Sequence, residues 1–475
     1  MQTLWPELIL RISQYLSDYD KIMFSETSHE HNMYKFKFAY QDLINVIKIY
    51  ALPMFENFEC VLIPKRRKNK YPKNAKRVYF TREKSKVPYG VTHLVYRCCV
   101  ILTDSCIPST VRCINFGEHF NRSIDACVPD TVTELKFGLY FQTQLTWLPS
   151  NLTHLILSAF DMPLNGVLHM TSLTYLDLGV KFNQKITDEI PSTVTHLNLG
   201  YLFNHPIDGL RNTNVKYLKF GCQFNQSIEG NLPESLCSVS FGSEFDRKID
   251  GLIPSSVTDL TFGSKLCQKI QLLPHALQKL VIVGNIERPL MDIVPASVTH
   301  LAVRKLLPNA LSMGFPETVT HLTVDNHWDR RLACIDKITH LTLLRLDGGK
   351  SNCEIPSSVT HLTISSWMKN LKIPITVKHL SIGYTYTLDN DTIPASVTHL
   401  VLRYDFDGPI ENMIPASVTH LTFKSRYDTE KYVIPSTVKY LTLTNPNKPV
   451  RTKQISPSTR IKIIDSDSIE KHFLS

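Results

Sequence analysis

The chain has 475 residues, of which 43% are hydrophobic and 20% are charged. This composition supplies enough apolar material for a large core and excludes a disordered or collagen-like protein. The formal net charge is +9, but Lys65 to Lys86 alone holds eleven Lys and Arg residues and one acid, Glu83. Because the rest of the chain is close to neutral, the basic balance does not by itself indicate nucleic-acid binding.

The cysteines and the apolar stretches predict an intracellular protein. The eleven Cys residues include no CxxC pair and no zinc-ligand spacing, as expected in a reducing compartment. The first residues show no basic leader, and no uncharged apolar run reaches the roughly 20 residues that span a bilayer. We therefore expect a cytoplasmic protein without membrane contact, in which the basic run would also permit nuclear import.

The amino-terminal segment predicts short helices. Leu4, Leu8, Ile12 and Leu16 recur at every fourth position, with Ile9 beside them, and so form one helical face. After a break at 17–20, Asp18 or Asp20 is expected to cap a second helix. We expect two or three short helices before Tyr50, in a segment covering residues 1–45.

The basic run, Lys65 to Lys86, admits two interpretations. It could bind nucleic acid or act as a nuclear import signal. However, Pro72, Ala75, Val78 and Phe80 within it keep the spacing of the repeat described next, so part of the run is a first coil. A solvated basic edge is therefore favoured, with residues 46–70 as linker and amino-terminal cap.

A phrase of about 20 residues returns down the remaining chain, for example IPSTVTHLNLG from Ile190 and IPASVTHLVL from Ile393. Its Pro position recurs 20 times between positions 72 and 457, at an average spacing of about 20.5 residues. The apolar residues follow at offsets of 3 and then 2, as in the LxxLxL phrase of leucine-rich repeats. We predict a leucine-rich-repeat-like solenoid over 71–464, with one short parallel β-strand per turn, and a carboxy-terminal cap or tail at 465–475.

Ten of the eighteen histidines share one phase of this repeat, immediately before an inward Leu. Alternation along the strand turns them onto the concave face of the sheet, away from the core. Seven successive turns carry His there, and we call this set the histidine ladder: His300, His321, His340, His361, His379, His399 and His420. A straight row does not supply the tetrahedral ligand set of zinc, so we predict a structural ladder and neither a metal nor a cofactor. Mutual repulsion between charged imidazoles predicts pKa values that are lower in the folded chain than in the unfolded chain. Stability should therefore decrease as the pH drops below about 6.5.

The earlier turns place larger groups on the same face. They are Glu134, Tyr175, Tyr217, Asp259 and Lys279 at the ladder phase, and Lys219 at the next outward position. Repeat proteins bind partners through concave surfaces, and aromatic and charged side chains make stronger anchors than Thr. We predict this stretch as the target-binding surface.

Two phrases, FNQKITDEIP from Phe182 and FNRSIDACVP from Phe120, resemble the FNIP repeat, named for Phe-Asn, Ile and Pro. The resemblance covers roughly residues 72–464 and is to F-box and FNIP repeat-containing proteins. That family occurs in social amoebae and in giant viruses, so the compartment would be a host cytoplasm if the protein is viral.

Residues 4–28 are similar to an F-box, the helical motif that docks onto the Skp adaptor of a cullin-RING ubiquitin ligase. The residues that match are Leu4, Glu7, Leu8, Ile9, Ile12, Tyr15 and Leu16, with Pro6 one place later than in the family phrase. The resemblance implies Skp and cullin partners and an adaptor contact through Leu4, Pro6, Leu8, Ile9, Ile12 and Leu16. The alternative is that this segment only caps the apolar end of the solenoid.

No phosphate-binding, zinc-protease or serine-hydrolase motif occurs, and the acidic residues form no evident dyad. We therefore predict no enzyme. The expected function is substrate recognition in an SCF-type ubiquitin ligase, in which the repeats bind a protein target. The alternatives are a protein-binding scaffold without a ligase, and a nucleic-acid binder that uses Lys65 to Lys86.

Overall fold

The computed structural model describes the following residues: 6–63, 71–82, 87–96, 107–125, 127–265, 270–284, 290–304, 316–324, 336–344, 355–366, 371–384, 393–403, 414–424, 434–444, 455–456 and 458–464. Leu4, both ends of the basic run and the tail at 465–475 lie outside these ranges. Contacts divide the chain into two compact units, between Val215 and Lys216.

The amino-terminal segment is helical, as the apolar spacing predicts. Its α-helices are α1 Pro6–Ser13, α2 Asp18–Glu26, α3 His29–Asn32 and α4 Val46–Ile49, and short 3-10 helices cover Met33–Phe36 and Phe55–Asn57. Two further 3-10 helices, Val167–Met170 and Leu290–Asp292, lie within the repeats. The cap of α2 differs from the prediction, because Ser17 is the residue that accepts the Asp20 amide, at 3.1 Å. The Asp18 carboxylate instead bonds to Lys21 and to the Asp42 amide.

Parallel strands make up the rest of the described fold. In the first unit they are β1 Ile44–Asn45, β2 Cys60–Ile63, β3 Arg77–Arg82, β4 His93–Tyr96, β5 Cys113–Phe116, β6 Glu134–Lys136, β7 His154–Ile156, β8 Tyr175–Asp177 and β9 His196–Asn198. In the second they are β10 Tyr217–Lys219, β11 Ser238–Ser240, β12 Asp259–Phe262, β13 Lys279–Ile282, β14 His300–Val303, β15 His321–Val324, β16 His340–Leu343, β17 His361–Ser366, β18 His379–Tyr384, β19 His399–Leu402, β20 His420–Phe423, β21 Tyr440–Thr444 and β22 Arg460–Ile464.

Within each unit, every strand pairs in parallel with the next strand along the chain, in the register of the repeat. Leu176 lies opposite Leu197 in the first unit, and His321 lies opposite His340 in the second. The predicted solenoid with one parallel strand per turn is therefore confirmed. The sheet begins earlier than the repeated phrase, however, because β1 and β2 pair with each other and β2 pairs with β3.

The Pro position lies before each strand from β3 onward, where it closes a tight turn. The carbonyl of Pro191 accepts the Val194 amide at 3.0 Å, and the same bond recurs in later turns. Pro has no N–H to donate to a ladder, so this place outside the strand costs the sheet no hydrogen bond.

Stacked Phe rings pack neighbouring turns on one another in the core. Phe220, Phe224, Phe241 and Phe245 are buried, with ring centroids 4.0 and 4.2 Å apart within a turn and 5.2 and 5.9 Å apart between turns. The Asn that follows Phe accepts a backbone amide of the next turn, as Asn183 does from Asn204 at 3.0 Å. The repeated letters therefore describe contacts between neighbouring turns.

Candidate protein-binding surfaces

Helix α1 presents its predicted apolar face mostly to solvent. The side chains of Leu8 and Ile12 are 45% and 44% exposed, and Tyr15, just beyond the helix, is 88% exposed. Ile9 is buried and fixes the helix to the segment behind it. The surface continues onto α2, where Ile22 and Met23 are also exposed. A helix that merely capped a solenoid would bury its apolar face, because that burial is what stabilises a cap.

The other predicted adaptor contacts divide by position. Pro6 is exposed at the start of α1, and Leu16, in the turn after the helix, is half-buried. Leu4 lies outside the described residues. The structure thus places Pro6, Leu8 and Ile12 on an accessible helix and Ile9 in the core of the segment.

A buried ion pair holds this helical segment together. Lys21 Nζ lies 2.9 Å from Asp18 Oδ1 and donates to the Ala39 carbonyl at 2.6 Å, and the lysine side chain is 1% exposed. The second oxygen of Asp18 accepts the Asp42 amide at 2.7 Å. These bonds fix α2 to the chain that leads into β1, so the exposed face of α1 is carried on a defined support.

In the first unit, the concave face carries a mixed row of polar and aromatic groups. Glu134 lies opposite His154, which lies opposite Tyr175, and the latter two rings are 5.6 Å apart. Burial, and then the neighbouring Asp177 carboxylate, raise the pKa of the Tyr175 hydroxyl, so Tyr175 is a neutral hydrogen-bonding group at physiological pH. Two of the predicted target-binding residues, Glu134 on β6 and Tyr175 on β8, are therefore separated only by His154 on β7.

In the second unit, the remaining four predicted residues lie on the first strands. Tyr217 and Lys219 are exposed on β10, and Asp259 and Lys279 lie opposite each other on β12 and β13. Asp259 accepts a hydrogen bond from the Thr258 hydroxyl at 3.0 Å. This pairing places a carboxylate and an ammonium side by side, immediately before the histidine ladder.

The histidine ladder forms as predicted, with closer rungs than the strands themselves. Each ring stacks face to face on the next, with centroids 4.0 to 4.2 Å apart, and His420 stacks on Tyr440 at 4.5 Å. Neighbouring strands of a sheet are about 4.8 Å apart. The rings therefore lie in direct face-to-face contact along the row.

Five of the seven ladder imidazoles have lowered pKa values. Burial, followed by the charge of neighbouring histidines, lowers the pKa values of His321, His340, His361 and His379 below the ordinary value of 6.5. The same causes act on His420, with Lys439 adding to them. The expected direction of the shift is thus present in the structure.

Two kinds of residue that sequence analysis passed over complete this surface. The Thr before each ladder His, except at His379, bonds to the imidazole Nδ1, at 2.9 Å for Thr320 and His321. Four residues beyond the ladder position stand Arg304, Arg403 and Lys424, outward again by strand alternation. The Thr is visible in the repeated VTH phrase, and the cations could have been found by extending the alternation two residues further.

The part of the basic run that the structure describes belongs to the repeat. Arg77 begins β3, and Lys76 Nζ lies 2.7 Å from a Glu59 carboxylate oxygen. Over the described ranges, no group of three or more His, Cys, Asp or Glu side chains is arranged to hold a metal ion. In the same ranges, no helix has the length and apolarity needed to cross a bilayer.

Comparison with known families finds the FNIP repeat in several segments of the chain. The FNIP Repeat family matches residues 101–140, 170–202, 182–223, 203–244, 224–265, 387–426 and 410–446. The chain thus contains FNIP repeats in both units, and these matches leave residues 1–45 aside. Comparison with curated proteins gives no match.

Among solved structures, the chain is similar to several proteins at low sequence identity. CroV588, described as a novel circular LRR protein, is 21% identical, with 90% of this chain and 91% of that chain covered and a TM-score of 0.47. The functional domain of InlJ from Listeria monocytogenes is 12% identical, with 75% and 69% covered and a TM-score of 0.32. YopM from Yersinia enterocolitica is 14% identical, with 84% and 88% covered and a TM-score of 0.32.

Proposed function

We propose that this chain is a substrate-recognition adaptor of a cullin-RING ubiquitin ligase. In this proposal α1 and α2 dock onto a Skp-type adaptor, and the concave face of the repeats binds a protein target in the cytoplasm. The chain itself performs no chemistry. It holds the target close to a recruited ubiquitin-conjugating enzyme and thereby raises the effective concentration of the reacting groups.

One observation carries the proposal, namely the apolar surface that the helical segment exposes. Leu8 and Ile12 on α1 and Ile22 and Met23 on α2 each expose two fifths or more of their surface. The buried Asp18–Lys21 pair holds the segment in a fixed conformation while these side chains face outward. Exposed apolar side chains grouped on one small segment indicate an interaction site.

The test is capture of purified Skp adaptor by the full chain. The variant Leu8→Asp, Ile12→Asp should lose capture at least about a hundredfold, because two carboxylates would be desolvated in the interface. Since both side chains are already half exposed, the variant should fold normally. Circular dichroism and melting of the free variant check this expectation.

A matched control replaces two exposed apolar residues of the repeats, as Met170→Asp, Ile375→Asp. These side chains are 77% and 83% exposed, and their replacement should leave capture unchanged. If the folded full chain captures no Skp adaptor at all, the protein is a repeat scaffold that acts without the ligase. If the two variants lose capture equally, the contact is not on α1.

A further inference from the structure

The histidine ladder presents a row of N–H donors on the six of its seven rings that follow a Thr. The Thr299 carbonyl already accepts two amides, those of Thr320 and His321, both at 3.0 Å. The Thr320 hydroxyl lies 3.5 Å from that carbonyl but only 2.9 Å from His321 Nδ1. We assign the hydroxyl proton to the shorter contact, so that Nδ1 accepts it and the neutral ring carries its hydrogen on Nε2. The same geometry recurs at His300, His340, His361, His399 and His420.

This arrangement does not suit a metal ion or a nucleobase. Rings stacked in parallel send their Nε2 atoms out along parallel lines, whereas two ligands of one zinc ion must converge on it. Recognition of single-stranded nucleic acid relies on aromatic faces that stack with bases. In the ladder both faces of each inner ring are covered by its neighbours at 4.0 to 4.2 Å, so only the Nε2 edges are free to bind.

The groups around the ladder favour negative charge. Lys279 precedes it at the ladder position, and Tyr440 and Arg460 follow it, with the guanidinium 5.7 Å from the tyrosine ring centroid. Other cations beside or beyond the ladder positions are Arg304, Lys378, Arg403, Lys424 and Lys439. At the outward positions that the structure describes from β13 to β22, no residue is acidic. The row next to the ladder is mostly Thr and Ser, which leaves space for a second chain to approach.

We propose that the histidine ladder and its flanking cations bind an extended acidic segment of a protein, laid across strands β14 to β20. The six steps of 4.0 to 4.2 Å between the seven rings span about 24 Å, the length of about seven extended residues. Alternate side chains of such a segment face the ladder about 6.8 Å apart, so every carboxylate has at least one Nε2 donor within reach. The inference gives the target-binding half of the proposed function a ligand class, and it does not depend on the helical segment.

Proton uptake should strengthen this binding. A bound carboxylate favours the charged imidazole, and when a ring is protonated the Thr hydroxyl can turn to accept from Nδ1 while Nε2 keeps its donor role. The other charged groups around the ladder are Lys279, Arg304, Lys378, Arg403, Lys424, Lys439 and Arg460. Affinity should therefore increase as pH falls from 7.5 to 6.0, in proportion to the histidines that the acidic segment contacts.

The experiment measures fluorescence anisotropy of a labelled dodecapeptide of alternating Glu and Thr, titrated with the full chain at pH 7.5 and 6.0. We expect binding that is about tenfold tighter at pH 6.0, and no binding by the same peptide with Gln in place of Glu. The variant His340→Phe, His361→Phe, His379→Phe keeps stacked rings but lacks the donors. It should weaken binding at pH 6.0 at least about tenfold.

Two further variants keep the test informative. In His340→Gln, His361→Gln, His379→Gln, amide donors remain but cannot titrate, so the pH dependence should shrink even if part of the affinity stays. The matched control is His154→Phe, His196→Phe, which changes histidines at the same repeat position and with the same Thr contact. These histidines lie near the carboxylates of Glu134 and Asp177, so their replacement should leave binding of the acidic peptide unchanged.

The proposal is overturned if the Phe and Gln variants bind the acidic peptide as the unaltered chain does, with the same pH dependence. In that case the binding site lies outside the ladder, and neutralising Lys65 to Lys70 tests whether it is the basic run. Tighter binding of a labelled oligothymidylate, lost in the Phe variant, would equally overturn it in favour of nucleic acid. None of these results depends on capture of the Skp adaptor.

Discussion

At the scale of single residues, the closest contact between turns is made where side chains are absent. Gly200 has a φ of +85°, and a Cβ at this position would overlap the carbonyl oxygen of Gly179 in the preceding turn. The two backbones can therefore approach only because residue 200 has no side chain. Close approach is thus a second reason for glycine after the strand, in addition to the positive φ.

Gly200→Ala should consequently destabilise the first unit by about 3 to 5 kcal/mol, because backbone conformation and backbone overlap both oppose the methyl group. Gly166→Ala is the matched control, since Gly166 also has a positive φ of +72°. A Cβ added there would meet only a His169 ring atom, at 3.9 Å, which is an ordinary van der Waals contact. It should cost only about 1 to 2 kcal/mol. Thermal melts of the two variants should differ clearly, and equal melting temperatures would refute the close-contact explanation.

At the scale of elements, the position of α2 depends on the buried charge of Lys21, which lies outside the repeats. Lys21 bonds both to Asp18 and to the Ala39 carbonyl, and so links α2 to the chain that enters the sheet. Removing one member of such a pair leaves the other charge uncompensated, whereas removing both is much less harmful. The orientation of the exposed surface on α1 and α2 therefore relies on this pair.

We expect Lys21→Met to destabilise the helical segment by about 3 kcal/mol, and the double change Asp18→Asn, Lys21→Met to recover a large part of that loss. Hydrogen exchange of the α2 amides, followed by mass spectrometry, measures the effect where it occurs. Lys48→Met on the exposed side of α4 is the control and should leave α2 exchange unchanged. A double variant as unstable as Lys21→Met would contradict this account of the pair.

The repeat elements were predictable from sequence because each strand is a copy of its neighbour's contacts. Leu197 and Leu260 are buried as the LxxLxL spacing requires, and the ladder histidines lie opposite one another. The strands β1 and β2 were missed because the Pro phrase does not precede them. Burial of Lys21 was missed because helical periodicity predicts faces and gives no information on which cation finds a buried carboxylate. The exposure of Leu8 and Ile12 could not be predicted, since an apolar face indicates burial without naming its partner.

At the scale of the whole molecule, stability is a sum of contacts between neighbouring turns, so a small effect repeated on many rungs becomes a large one. The ladder is the clearest case. The pKa values of five of its histidines are lowered by burial and by neighbouring histidines. The pKa of His93, which stacks on Tyr79 in the first unit, falls to about 4 through burial and the Arg77 charge.

Because these pKa values are lower in the folded chain, the unfolded chain binds more protons below about pH 6.5. The stability that the neutral rings contribute is complete above that pH and is lost as pH falls toward the lowered folded values. We expect a lower melting temperature at pH 5.5 than at pH 7.5. The triple Phe variant at 340, 361 and 379 should show a smaller decrease, and an equal decrease would assign the pH dependence to groups outside the ladder.

The in-register pairing of turns also determines how such a chain can change its length. Duplication or loss of one complete turn leaves each inward Leu opposite a Leu and each outward His opposite a His, as His300, His321 and His340 already are. A single residue inserted within β15 would instead exchange its buried and exposed faces. Recombination between copies of the phrase can therefore produce folded descendants of different lengths, each with a binding surface longer or shorter by one rung.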